Sequence, residues 1–121
     1  MITRSDLNDR FGEYEIERLE KNIKDPQAVN KAIDDAVQFV NGYIASNYRL
    51  PLPSIPASVE RACAVVARYY LYKDKPTATV RQDYDDILAW LKDVASGKVK
   101  LDFGGDEQEE KTAFISGAFV A

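Results

Sequence analysis

A chain of 121 residues is about one ordinary domain, long enough to bury a core and too short for two comfortable ones. Apolar residues make up 45% and charged residues 30%, a globular balance, and no apolar run approaches the roughly 18 residues of a membrane span. One cysteine, Cys63, excludes an intrachain disulfide, and the lack of histidine removes both the commonest general base and the commonest metal ligand.

The opening Met1-Ile2-Thr3-Arg4-Ser5-Asp6 holds no apolar signal-peptide core, so composition points to a soluble, cytosolic, non-catalytic protein. Residues 1–100 carry 15 Lys/Arg and 15 Asp/Glu, so the net charge of −4 resides in the last stretch. There Asp102, Asp106, Glu107, Glu109 and Glu110 face Lys111 alone. A neutral body with an acidic tail argues against a nucleic-acid binder, which needs a basic face.

Thr3 caps a first short helix, with Asp6 as the reciprocal half of a capping box and Gly12 as its exit. Glu13–Glu20 forms a second short helix with Tyr14, Ile16 and Leu19 as apolar contacts, and Lys21–Lys24 connects onward. Asp25 and Pro26 suit a helix start. From there Val29, Ala32, Ile33, Ala36, Val37, Val40, Tyr43, Ile44 and Tyr48 make one stripe with a 3.6-residue period, a helix of about 22 residues and ~33 Å. Gly42, inside it, is a point of close helix approach.

The prolines of residues 49–56 rule out a central strand and give an extended, polyproline-like link. A fourth helix runs to about Lys73 with Val59, Ala62, Cys63, Val66, Ala67 and Tyr70 inward and Arg61 and Arg68 on other faces. Thr77 or Thr79 caps a fifth, whose inward positions are Val80, Tyr84, Ile87, Leu88, Leu91 and Val94, with Trp90 beside them and Ser96-Gly97 as the stop. Lys98–Phe103 alternates polar and apolar like a half-exposed strand. Gly104-Gly105 reads as a hinge, followed by an acidic run and an uncharged segment with Phe114, Ile115, Phe119 and Val120. The expected class is all-α: a bundle of four to five helices (1–101), a short C-terminal strand, and a hinge and arm (102–121).

No catalytic constellation emerges. Cys63 sits on an apolar stripe, where cysteine acts as a small hydrophobe. Asp34-Asp35 and Asp85-Asp86 are adjacent and point about 100° apart; Asp83 and Asp86 share a face but lack a Glu-x-x-His companion. No phosphate loop is present, so no cofactor or metal is expected. Tyr69, Tyr70 and Tyr72 with Arg68 and Lys73 admit a stacking-platform reading for single strands. The bundle favours instead one buried tyrosine, one at the helix edge and one in an interface. Leu52-Pro53-Ser54-Ile55-Pro56 has SH3-ligand spacing, but the required cation position is Leu50. The uncharged arm either folds back on its body, docks on a neighbouring chain or stays disordered. The interface candidates are Arg49, Leu50, Pro51, Leu52, Phe103, Phe114, Ile115, Phe119 and Val120.

An ordered set of short motifs carries a family resemblance. It comprises Thr3-x-x-Asp6-Leu7-x-x-Arg10-Phe11-Gly12-Glu13, Asn41-Gly42-Tyr43-Ile44, and Tyr48-Arg49-Leu50-Pro51-Leu52. Ile55-Pro56, Arg61-x-Cys63 and Ala67-Arg68-Tyr69-x-Leu71-Tyr72 follow, then Val80-Arg81-x-x-Tyr84-x-x-Ile87-x-x-Leu91 and Ser96-Gly97-Lys98-Val99. Over residues 1–101 the chain resembles the Mu-like phage and prophage head–tail joining proteins, a domain family of unknown function. The resemblance implies an all-helical virion component, made in the bacterial host cytoplasm, that sits on the portal protein at the head–tail junction. It further implies a ring of like copies that bridges to tail-joining proteins, with DNA passing through the lumen unread and no membrane involved. It carries over no catalytic residue. The other reading is a helical accessory or regulatory module, in one version binding nucleic acid.

Overall fold

The computed structural model describes residues 1–104. Five helices follow one another: α1 (Arg4–Phe11), α2 (Glu13–Ile23), α3 (Ala28–Ile44), α4 (Ala57–Leu71) and α5 (Ala78–Ser96). The described residues contain no run of β-strand, and the all-α class holds.

Local chemistry sets most boundaries. The Thr3 side chain accepts from the Asp6 backbone N–H while the Asp6 carboxylate accepts from the Thr3 backbone, so both orphan donors of α1 are satisfied. Gly12, at φ 96°, ends α1 and starts α2, a backbone geometry that a side chain resists. α2 extends past the expected Glu20 because Lys24 takes the left-handed conformation and donates its N–H to the Glu20 carbonyl. Within α2, Ile16 and Leu19 are buried, whereas Tyr14 is 80% exposed and makes no core contact, contrary to the expected stripe.

α3 is shorter than the periodicity suggests. Asp25 does not cap the helix itself: its carboxylate accepts from the Gln27 N–H and pairs with Lys31 Nζ at 2.8 Å, building a turn before Ala28. After Ile44 the backbone loosens into a turn through residues 45–47. The expected close approach at Gly42 is absent, since a Cβ there would meet nothing within 4 Å. Thr77, not Thr79, caps α5 by accepting from Val80 N–H, and left-handed Gly97 closes it.

α4 is the central helix. Val59, Ala62, Cys63, Ala64, Val65, Val66, Ala67 and Leu71 are all buried, because α3 and α5 cover it on two sides and α1 and α2 on a third. Tyr69 stacked on Tyr84 and Arg68 beside Asp83 set the end of α4 against the start of α5, so the two run antiparallel. Asn47 reaching Val94 and Ala95 brings the ends of α3 and α5 together. The bundle therefore has one end at the α4–α5 turn and another at Tyr48 and Gly97.

At that second end, buried Asn47 donates through Nδ2 to the carbonyls of Val94 and Ala95, both at 2.8 Å, satisfying the α5 terminus. Tyr48 Oη accepts from the Leu101 N–H at 2.9 Å. Residues 98–104 keep the expected alternation as burial, Leu101 inward and Phe103 half-buried between exposed Lys100, Asp102 and Gly104, but on helices rather than as a paired strand.

Candidate functional site

The described residues carry a half-exposed face of five aromatic rings. Phe39 and Tyr43 come from α3, Tyr69 and Tyr70 from the last turn of α4, and Tyr84 from α5. Tyr69 stacks flat on Tyr84 at 3.9 Å and 11°. Phe39 meets Tyr43 edge-on at 5.3 Å and Tyr70 edge-on at 6.4 Å, and lies 6.4 Å from Tyr84. Such offset and edge contacts are the favoured aromatic arrangements. Burial of the ring bodies, followed by the neighbouring tyrosines and carboxylates, raises the Tyr70 and Tyr84 phenols above their usual range, so both stay neutral hydrogen-bonding groups at physiological pH. The Arg81 guanidinium lies 5.9 Å over Tyr69 at the rim.

Beside this face runs a groove at the α4–α5 turn. Its main hollow is about 780 Å³, lined by residues that include Arg18, Ile23, Tyr72, Lys73, Asp74 and Lys75. A shallower hollow of about 430 Å³ between Asp35, Tyr69, Tyr70 and Lys73 continues it onto the aromatic rings. Lys73 lines both, held outward by a left-handed backbone at φ 57°. Among the described residues, Lys21 and Lys75 form no ion pair, while Lys73 adds to the Lys31 hydrogen bond in holding the Asp25 carboxyl below its usual range.

The tyrosine trio departs from expectation: Tyr69, Tyr70 and Tyr72 are all half-buried, none fully, because the C-terminal end of α4 is less completely covered than its middle. Arg68 does not join them as a nucleic-acid platform. It makes a bidentate pair with Glu15 at 2.6 and 3.0 Å, approaches Asp83 at 3.6 Å and covers the Phe11 ring at 4.4 Å, so it joins α1, α2, α4 and α5. The Glu15 hydrogen bond raises its basicity further.

Cys63 is fully buried, and burial pushes its thiol up to about 12, so no thiolate forms near neutrality. Asp83 lies beside Arg68 and Asp86 accepts from Gln82, and no group of three or more metal-capable side chains exists among the described residues.

Of the interface candidates, Leu52 is only 9% exposed and belongs to the core, where the proline link folds it inward. Leu50 is 42% exposed and Arg49 and Pro51 are also at the surface, while Phe103 packs edge-on against Tyr48 at 5.7 Å. Phe114, Ile115, Phe119 and Val120 lie outside the described residues. Phe39 escapes a sequence reading because it flanks the apolar stripe; its four-residue spacing from Tyr43 is the available signal. No helix of the described residues is long and apolar enough to cross a membrane.

A Mu-like prophage FluMu protein gp36 of Haemophilus influenzae is 40% identical over 84 residues, 69% of this chain and 60% of that protein. Gene product J of Escherichia phage Mu is 38% identical over 74 residues, 61% of this chain and 52% of that protein. The matches thus span little more than half the length of these curated relatives. The family profile described as Bacteriophage Mu, Gp36 matches residues 2–117, nearly the whole sequence, and the chain belongs to that family of Mu-like phage proteins.

Proposed function

We propose that this protein is a structural adaptor of a phage or prophage head–tail connector, which forms a ring on the portal and bridges to the tail. The observation that carries the reading is the five-ring aromatic face, half open to water in a chain that belongs to a Mu-like phage family. Tyrosine and phenylalanine are enriched where protein surfaces meet, since each buries a large area at little entropic cost. The face is the surface on which one copy packs against the next. The protein acts through shape, and its virion location follows from that role.

The experiment is deletion of its gene from a Mu-like prophage, with induced lysates examined by electron microscopy. The expected result is filled heads and free tails that do not join, restored by the wild-type gene and not by a Tyr69→Ala/Tyr84→Ala version of normal helicity. Joined, infectious particles lacking the protein would overturn the reading.

A further inference from the structure

We infer that residues 50–55 of one copy seat on the aromatic face of the next, leucine and proline side chains against the rings and main-chain carbonyls against the tyrosine hydroxyls. This rests on the self-association part of the reading above and names what meets the face.

The segment and the face each supply what the other lacks. Leu50-Pro51-Leu52-Pro53-Ser54-Ile55 is uncharged. Leu52 turns into the core, which leaves Leu50, Pro51 and Pro53 at the surface. Residues 50–55 make no hydrogen bond to other described residues, and Pro51 and Pro53 have no N–H, so the segment offers more acceptors than donors. The face offers the reverse. Tyr43, Tyr69, Tyr70 and Tyr84 are half-exposed, and their hydroxyls make no hydrogen bond among the described residues. Tyrosines that serve the fold do otherwise: Tyr48 Oη accepts from Leu101 and Tyr72 Oη from Arg18. A phenol donates to a carbonyl and proline rings pack on aromatic ones, the way aromatic-lined surfaces take proline-bearing segments.

Charge does not compete with this match. Asp35 and Lys73 border Tyr69 and Tyr70, Asp85 adjoins Tyr84, and Arg81 lies over Tyr69, so the rim carries both signs. Such a rim selects neither a phosphate backbone nor an acidic peptide, and the uncharged segment fits it.

The two surfaces sit apart within one copy. Buried Leu52 and Pro56 tie the segment to the Tyr48 end, directly before α4, whereas Tyr69 and Tyr70 occupy the last turn of that 15-residue helix, about 20 Å away. The segment therefore meets these rings in a neighbour. Segment and face are different patches, so the contact is head-to-tail, repeats from copy to copy and closes into a ring when the rotation allows.

The test is cross-linking of the full-length protein with a short bis-maleimide at about 0.5 mM, where weak contacts are populated. Ser54→Cys places a thiol in the segment and Arg81→Cys one at the rim of the face, while buried Cys63 stays unreactive. A mixture of the two variants should give cross-linked dimer, and either variant alone about tenfold less. A Ser54→Cys/Arg81→Cys chain should give a ladder of oligomers, which a two-fold symmetric contact cannot. Leu50→Ser on the segment partner should cut the mixed yield about tenfold. Tyr69→Phe/Tyr70→Phe/Tyr84→Phe on the face partner removes hydroxyls and keeps rings, and should cut it about fivefold. Raising salt from about 0.05 M to about 0.5 M should change the yield by less than about twofold. Leu50 is at the surface and the phenylalanines keep the ring bodies, so circular dichroism should match wild type. No mixed cross-link, cross-links only between like variants, or a yield indifferent to Leu50→Ser or to the phenylalanine set would overturn the inference. So would a yield that collapses in salt, which would assign the contact to charges. A mixed cross-link together with particles that join without the protein removes the adaptor role alone. Unjoined heads and tails with no mixed cross-link remove this contact alone.

Discussion

The two ends of the bundle solve opposite problems. At the Tyr48 end, polar groups are turned inward and satisfied: Asn47 closes α5, and Tyr48 anchors Leu101. At the α4–α5 turn, Lys73 and Lys75 stand outward beside exposed hollows. Buried polar groups cost free energy unless paired, so the first end is specified by the fold's own stability. Exposed lysines contribute little to stability, so the second end is open to selection for what it meets.

That contrast can be broken most sharply at Tyr48. Tyr48→Ala empties a nearly fully buried site and removes an acceptor; we expect a loss of roughly 4 kcal/mol, read by urea unfolding, with Tyr48→Phe costing only about 1 kcal/mol. A Tyr48→Ala protein as stable as wild type would mean that this end is not locked as described. Midway between the ends, Arg68→Met leaves Glu15 half-buried without its partner, and a loss of about 2 kcal/mol is expected in the same measurement. Arg68→Lys should recover little of it, because an ammonium cannot make the bidentate contact.

A pH series sharpens the interior side of the comparison. The Cys63 thiol is held up to about 12 in the fold against 9.0 in an unperturbed chain. Between those values the unfolded chain releases the proton and the folded chain keeps it. Stability should therefore fall as pH rises above 9, with Cys63 contributing a slope of up to about 1.4 kcal/mol per pH unit. Cys63→Ala should flatten that limb by the same amount; an unchanged slope would place the thiol in water. The smallest effect belongs to the other end, where Lys75→Ala should shift stability by less than about 0.5 kcal/mol in the same urea unfolding measurement.

The helices themselves are legible in the sequence wherever the determinant is local. Thr3 with Asp6, Gly12, Thr77 and Gly97 each act within a few residues, and the apolar positions of α3 and α5 recur with the helical period. Legibility stops where a partner lies far along the chain. Asn47 ends α3 early because its amide serves carbonyls 47 and 48 residues away, and nothing near position 47 announces that. Arg68 reads as a free cation in sequence because Glu15 is 53 residues distant. The aromatic face is hidden for the same reason: Phe39 flanks the α3 stripe, and Tyr70 and Tyr84 read as inward positions of their own helices, whereas packing leaves both half-exposed on one shared surface.

Sequence alone thus determined an all-α chain, the order of its helices, an unreactive position for Cys63 and a family pattern over residues 1–101, since short-range hydrogen bonding and periodic burial act on neighbours. Only the tertiary structure decided which cations are paired, which aromatic rings share a surface and which end of the bundle is left open. Those outcomes depend on distances between helices, and such distances exist only once the core has packed.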